Sequence, residues 1–435
     1  MSQSGKFVYA LIAASGLSVA ALTSFGSADA SDFKILYAFC TQQNCADGAN
    51  PYSGLIQEKQ GNLYGTTTNG GQAAGTVFKL DSSGIETVLY NFCGYDCKQG
   101  SLPGGGLLDV NGQIYGTTEG GGRSDCDTPD GCGTIFKLAK SGAERVPHRF
   151  TGYPDGAVPF GSLIADNQGN LYGTTVAGGF DNALYGSCPA YYGTIGCGTV
   201  FKLVPNRDES VLYTFCSPTG CPDGSAPYAG LIIDTSNNLY GTTSGGGSGG
   251  EGTVFRIAPS GTETVLYNFC SLQNCVDGAD PVASLITDSS GNLYGTTAKG
   301  GNTSGTGTVF KLAPDGTETV LYSFCAETNC SDGAVPRANL VMDDNGDLFG
   351  TTESGGDTNC ECGTVFEIAP DGTETVLHAF RGGANGNGGD GAYPYAGLIT
   401  DKRGDFFGTT AFGGVVGSGN HCGNIGCGTV FRIKP

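Results

Sequence analysis

The chain has 435 residues, of which 77 are glycine and 18 proline, yet 10% are aromatic and only 14% are charged. That balance excludes a disordered low-complexity polymer, which would be poorer in aromatics and richer in charge, and makes glycine a turn-former here. Asp and Glu outnumber Lys and Arg by 41 to 21, a net charge of −20, which excludes nucleic-acid backbones and anionic membrane surfaces as partners.

In chain order, residues 1–30 carry Lys6, an apolar run from Phe7 to about Leu22, and Ala28-Asp29-Ala30 before Ser31. This charge, apolar core and small-residue order is that of a secretory leader, with cleavage expected after Ala30; an uncleaved membrane anchor is the alternative. No later segment is apolar for long enough to span a bilayer. Residues 31–435 are therefore expected to form one soluble, monomeric domain outside the cytoplasm, periplasmic or secreted.

Phe33 to Phe39 follows as an isolated strand-like segment, and then the chain repeats itself. A first apolar segment opens on small residues, Ser53-Gly54 in the first copy. Next comes Leu-Tyr-Gly-Thr-Thr, whose tetrapeptide Tyr/Phe-Gly-Thr-Thr begins at Tyr64, Tyr115, Tyr172, Tyr240, Tyr294, Phe349 and Phe407. A Gly-rich loop leads into Gly-Thr-Val-Phe-Lys-Leu, as at Gly75 to Leu80, and the unit ends in Glu-Thr-Val-Leu-Tyr-x-Phe, as at Glu86 to Phe92. These segments, five to seven residues long, are rich in β-branched and aromatic residues and bounded by Gly, Asn, Asp and Pro, so they read as strands.

Seven such units predict an all-β, seven-bladed propeller with four antiparallel strands per blade; a β-solenoid is the alternative, but its coils are shorter. The chain opens on a fourth-type segment and closes on a third-type one, Gly428 to Ile433. Residues 33–39 are thus expected to join the C-terminal blade as its outer strand and close the ring. Pro147 lies in the fourth-type segment, which places that strand at an edge. The small residues at the start of the first segment place it at the crowded axis.

The repeat resembles the GloVer tandem repeat of bacterial choice-of-anchor surface proteins, on Leu-Tyr-Gly-Thr-Thr, Gly-Gly and Gly-Thr-Val-Phe-Lys-Leu in seven copies across residues 33–433. It is similar, more loosely, to propeller repeats of two-component sensor ectodomains, through Asp-x-x-Gly-Asn-Leu at Asp166 to Leu171 and Asp288 to Leu293. The resemblance implies an exported bacterial protein without an established activity. Because the chain ends at Pro435 without a sorting tail, release rather than covalent surface attachment is expected.

The 18 cysteines fall as close neighbours: Cys40 with Cys45, Cys93 with Cys97, Cys126 with Cys132, Cys188 with Cys197, Cys216 with Cys221, Cys270 with Cys275, Cys325 with Cys330, Cys360 with Cys362 and Cys422 with Cys427. Local disulfides in an oxidising compartment fit this spacing better than zinc sites, which need four converging ligands. Cys360 with Cys362 is the tightest ring. All the pairs lie in the blade-to-blade and second-to-third loops, so the predicted face of these loops is stapled and variable, the usual setting for binding.

Three groups on that face are candidates. An Asp-Gly precedes the first strand at Asp47, Asp155, Asp223, Asp277, Asp332 and Asp390, with Gln99 in the remaining unit. These carboxylates could hold calcium but read first as turn caps, and no other metal or cofactor is expected. The residue after the loop proline varies: Tyr52, Gly104, Phe160, Tyr228, Val282, Arg337 and Tyr395. Its aromatics and arginine could stack on sugars, inter-blade packing being the alternative. The longest loops are 176–198, with Phe180, Tyr185, Tyr191 and Tyr192, and 411–428.

Catalytic signals are weak. His148 and His378 replace the repeat tyrosine on the outer strand, and His421 stands alone beside Cys422. No Gly-x-Ser-x-Gly, phosphate loop or His-Glu-x-x-His occurs. The reading favoured is a binding module for a glycan or a surface protein; the alternative is an extracellular carbohydrate-active hydrolase or lyase using carboxylates of this face with Arg337 or a tyrosine. The exported protein should begin at Ser31 by N-terminal sequencing or intact-mass measurement, whereas an uncleaved Met1 terminus would indicate an anchor.

Overall fold

A computed structural model describes residues 32–434 except 73, 94–96, 124–125, 127–129, 180–187, 189–195, 206–208, 217–219, 383–388, 415–421 and 423–425. The expected leader, residues 1–30, together with Phe180, Tyr185, Tyr191, Tyr192 and His421, lies outside the described residues. Seven antiparallel four-stranded sheets form the blades of a propeller. Blades one to six run from Ile56 to Asn91, Leu108 to Arg149, Ile164 to Thr214, Ile232 to Asn268, Ile286 to Ser323 and Val341 to Ala379. In each, strand order in space follows the sequence, so every connection is a simple hairpin.

Blade seven combines Ile399–Thr400, Phe406–Thr410 and Thr429–Ile433 with Lys34–Ala38 at its outer edge, so the ring closes as the chain ends predicted. Lys34 pairs with Arg432 and Ala38 with Thr429, and the Phe39 amide extends the ladder to the Gly428 carbonyl at 3.0 Å. Pro147 sits in the outer strand Glu144–Arg149, where its missing N–H leaves no central ladder broken.

The innermost strand is shorter than predicted, two residues in six blades and three in blade two. The residues before it turn their carbonyls to the neighbouring blade instead of to their own second strand. In five blades the first threonine of Tyr-Gly-Thr-Thr supplies the donor: Thr174 bonds the Ala229 carbonyl at 2.8 Å, Thr242 that of Ala283, Thr296 that of Ala338, Thr351 that of Ala396 and Thr409 that of Ser53. The last threonine works within the blade, its hydroxyl 2.8–2.9 Å from the first threonine of the third strand in all seven copies.

The core is a ring of aromatic pairs. The phenylalanine ending each outer-strand segment packs edge-to-face on the third-strand phenylalanine of the next blade, with centroids 4.9–5.3 Å apart at all seven junctions: Phe39–Phe78, Phe92–Phe136, Phe150–Phe201, Phe215–Phe255, Phe269–Phe310, Phe324–Phe366 and Phe380–Phe431. All are fully buried. The glycine of Tyr-Gly-Thr-Thr makes room for them: a Cβ on Gly295 would lie 2.8 Å from the Phe310 ring and 3.0 Å from Leu285. A different demand acts on the glycine opening the third strand, where Gly307 adopts φ +100° against the backbone of Thr297 and Pro336 of the next blade.

Gly295→Ala should therefore destabilise the fold by about 1–3 kcal/mol through overpacking, read as a lowered denaturation midpoint. An unchanged midpoint would show that the ring can shift without cost.

Candidate functional site

The blade-to-blade connections and second-to-third loops do share one face. The residue after each Asp-Gly or its equivalent forms an antiparallel bridge to the loop that follows Tyr-Gly-Thr-Thr, as in Ala49 with Asn69 and Ala392 with Phe412, once in every blade. The cysteines pair as their spacing predicts. Five disulfides staple blade-to-blade connections: Cys40 to Cys45, Cys93 to Cys97, Cys216 to Cys221, Cys270 to Cys275 and Cys325 to Cys330. Four staple second-to-third loops: Cys126 to Cys132, Cys188 to Cys197, Cys360 to Cys362 and Cys422 to Cys427.

The two classes attach to different neighbours, a division that the spacing does not reveal. In the first, the carbonyls of Cys45, Cys97, Cys221, Cys275 and Cys330 accept from Gly71, Gly122, Gly247, Gly301 and Gly356 at 2.8–2.9 Å, each tying the connection to the Gly-rich loop of the blade it enters. In the second, the carbonyls of Cys132, Cys197, Cys362 and Cys427 accept from Val158, Ala226, Tyr393 and Asn50 at 2.8–3.0 Å, each tying a loop to the connection that enters the next blade.

The Asp-Gly carboxylates are each engaged at their own connection. Asp47 accepts from the Tyr37 hydroxyl at 2.8 Å, the Thr41 amide and hydroxyl, and the Gln42 amide. Asp277 repeats this with Tyr267, Ser271 and Leu272, and Asp332 with Tyr322, Ala326 and Glu327. Asp223 accepts from Tyr213 at 2.8 Å. The carboxylate thus caps the loop and anchors the outer-strand tyrosine ten residues upstream, a partnership that the constant spacing of the two residues contains. Where histidine replaces tyrosine the bond persists, His148 to Asp155 and His378 to Asp390, both at 3.0 Å.

A second carboxyl reaches this place from the following blade. The first outer-strand residue is Glu86, Glu144, Glu209, Glu263, Glu318 or Glu374, and each has a buried Oε1 without a hydrogen-bond partner among the described residues. Burial, then the Asp of the preceding connection, pushes Glu86, Glu263 and Glu318 up to about 7 and Glu374 up to about 8. Burial also raises Glu144.

At the entrance to the innermost strands, the variable residues after the proline are half-buried except Gly104, which is buried. Tyr52 and Tyr395 pack with centroids 5.1 Å apart, and Phe412 lies edge-on to Tyr52 at 6.2 Å. The Tyr395 hydroxyl donates to Glu353 at 3.2 Å, and the Arg337 guanidinium pairs with the other oxygen of the same carboxylate. Burial and Glu353 raise the Tyr395 phenol. Phe160 and Tyr228 form an edge-to-face pair at 5.7 Å and pack on the core beneath.

Two acidic residues here escaped the sequence reading. Glu353 and Glu119 both follow Tyr/Phe-Gly-Thr-Thr, where the other blades carry Thr68, Val176, Ser244, Ala298 and Ala411. Glu119 occupies the space left by Gly104, and burial pushes its carboxyl up to about 7. The available signal was the break in the repeat directly after its most regular tetrapeptide. On the opposite face, a groove of about 880 Å³ lies between blades one and seven, lined by Lys34, Glu58, Lys59, Asp81, Arg403 and Arg432 among others.

The sequence matches the Gloeobacter/Verrucomicrobia repeat family over residues 5–183 and 179–421. The chain belongs to this family. Among solved structures, the extracellular domain of a protein named as a one-component system, from B. thetaiotaomicron, matches with a TM-score of 0.53 and 13% identity over 92% of this chain. The match spans 39% of that longer chain and shows a shared fold. A protein named as a gluconolactonase matches over 75% of this chain and 87% of its own at 13% identity, with a TM-score of 0.37, too low to carry an argument. No curated protein matches significantly in sequence. Among the described residues, no helix of this repeat-family member is long and apolar enough to cross a membrane.

The junction glutamates give a pH dependence. Their folded-state affinity for a proton exceeds that of an unfolded glutamate, so their stabilising contribution is complete below about pH 4.3 and disappears as pH rises through about 7–8. Glu374→Gln, which keeps the neutral shape, should lose less melting temperature than the parent between pH 5 and pH 8.5. Parallel curves for the two proteins would show that Glu374 is ionised in the fold throughout.

Proposed function

We propose that this repeat-family protein is an exported binding module that takes a neutral or cationic glycan on its disulfide-bearing face. The observation supporting this most directly is the cluster of Tyr52, Tyr395 and Phe412 beside Arg337 and Glu353. Flat aromatic faces stack on sugar rings, while a carboxylate and a guanidinium can bond hydroxyls around their edges. The cluster lies where the blades stop resembling each other, on loops most of which are closed by a local disulfide above a rigid ring, and ordering such loops in advance lowers the entropic cost of binding. The leader and the nine disulfides support a location outside the cytoplasm.

One observation favours a carbohydrate-active enzyme as the second reading: Glu119, raised to about 7, has the affinity for a proton that a general acid needs, and Glu353 occupies the equivalent position four blades on. A glycan array and a turnover assay on the same preparation separate the two. Binding without product supports the module, and product formation supports the enzyme. Replacing Tyr52 and Tyr395 together by alanine should abolish binding with a nearly unchanged melting temperature; a collapse in stability would assign these rings to packing.

A further inference from the structure

The seven junctions between blades are built from the same three positions: an outer-strand tyrosine or histidine, the Asp-Gly aspartate after it (Gln99 at the Tyr90 junction), and the residue that opens the outer-strand segment of the next blade. Their occupants differ. Five junctions carry Tyr37, Tyr90, Tyr213, Tyr267 or Tyr322. At His378 the third position is Phe33, whose ring stacks flat on the imidazole at 3.8 Å, leaving Asp390 as its carboxylate partner. Between blades two and three the positions hold His148, Asp155 and Glu209, three side chains that can each ligate a cation.

Their ligand atoms lie within 4.8 Å of one another. His148 Nε2 is 3.0 Å from Asp155 Oδ2 and 4.0 Å from Glu209 Oε2. Asp155 Oδ1 and Glu209 Oε1 are buried and have no hydrogen-bond partner among the described residues. The Glu209 side chain is only 5% exposed, with His148 at 18% and Asp155 at 12%. The other junction glutamates also bury an unpartnered Oε1, so what sets this junction apart is the imidazole nitrogen beside two adjacent buried carboxylates, whose burial is costly and is offset by a cation between them. Supporting contacts set the ligands in place: the Thr151 amide and hydroxyl donate to Asp155 Oδ2, and Phe150 packs edge-on to the His148 ring at 4.7 Å.

We propose that His148, Asp155 and Glu209 form a site for one divalent transition-metal ion, of the zinc or manganese type, at the junction of blades two and three. One imidazole and two carboxylates suit such an ion better than calcium, which prefers an all-oxygen shell, and three protein ligands leave a position for water. A cation there would cross-link two blades.

The test is titration of the full mature chain, stripped with EDTA and desalted, with Zn²⁺ and Mn²⁺ in separate calorimetric runs at neutral pH. One equivalent should bind with saturation to at least one of the ions and raise the melting temperature. His148→Tyr restores the residue of five other junctions and should fold, while weakening binding by about tenfold or more. His378→Tyr should bind as the parent does. Should His148→Tyr fail to fold, Glu209→Gln serves in its place with the same expectation. No saturable binding by the parent, unchanged binding by the folded variant, or an equal loss in His378→Tyr would each overturn the site.

Discussion

The contact on which the whole ring depends is the edge-to-face pair between the last phenylalanine of one blade and the third-strand phenylalanine of the next, made seven times with nearly the same geometry. A four-stranded sheet of this size cannot bury both faces by itself, so each blade is stable only between neighbours. The glycine of Tyr-Gly-Thr-Thr belongs to the same contact, since it leaves the volume that the ring and an inner-strand leucine fill. The threonines after it then satisfy the polar backbone at the narrow end of the blade. One bonds the neighbouring blade and the other its own third strand, so hydrogen bonding and aromatic packing select the same spacing between sheets.

Uniform packing below permits variety above. Because the strands and short turns carry the stability, the loops on the disulfide face can change length and chemistry without disturbing the ring. Each cystine closes a small local loop, and the carbonyl of its second cysteine is bonded either to the Gly-rich loop of the blade being entered, as at Cys330, or to the connection into the next blade, as at Cys132. The staples therefore act on the loop layer and on its attachment. The Tyr52–Tyr395–Glu353–Arg337 cluster spans the connections of blades one, six and seven, and no single blade could form it.

The junction carboxyls show how one constraint gives different chemistry at equivalent positions. An aspartate saturated by loop amides and a tyrosine is a cap, as Asp47 is. The glutamate arriving beside it from the next blade is pushed toward its neutral form by burial and by that aspartate. Replacing the tyrosine by histidine substitutes a nitrogen ligand for a phenol and changes what the same cradle can hold. Replacing the glutamate by Phe33 converts the place into an aromatic stack.

The blade count, the four strand types, the closure of the ring by the residues before Cys40 and the pairing of the cysteines are all legible in the sequence. Each of these is a periodic or local signal: seven copies of a tetrapeptide, chain ends that stop at complementary strands, and thiols too close along the chain to miss one another. It also contained the edge position of Pro147, since proline there removes a donor that only an outer strand can spare. Tertiary structure alone decided that the innermost strand shortens to two residues, that Cys97 and Cys221 tie to their own blades while Cys132 and Cys197 tie to the next, that Glu353 meets Tyr395, and that Glu209 meets His148 and Asp155. Most of these relations join residues of adjacent blades tens of positions apart. They arise from the twist that carries an outer strand across its neighbour's edge and from the convergence of seven backbones on one axis, and no pattern within a single repeat encodes either.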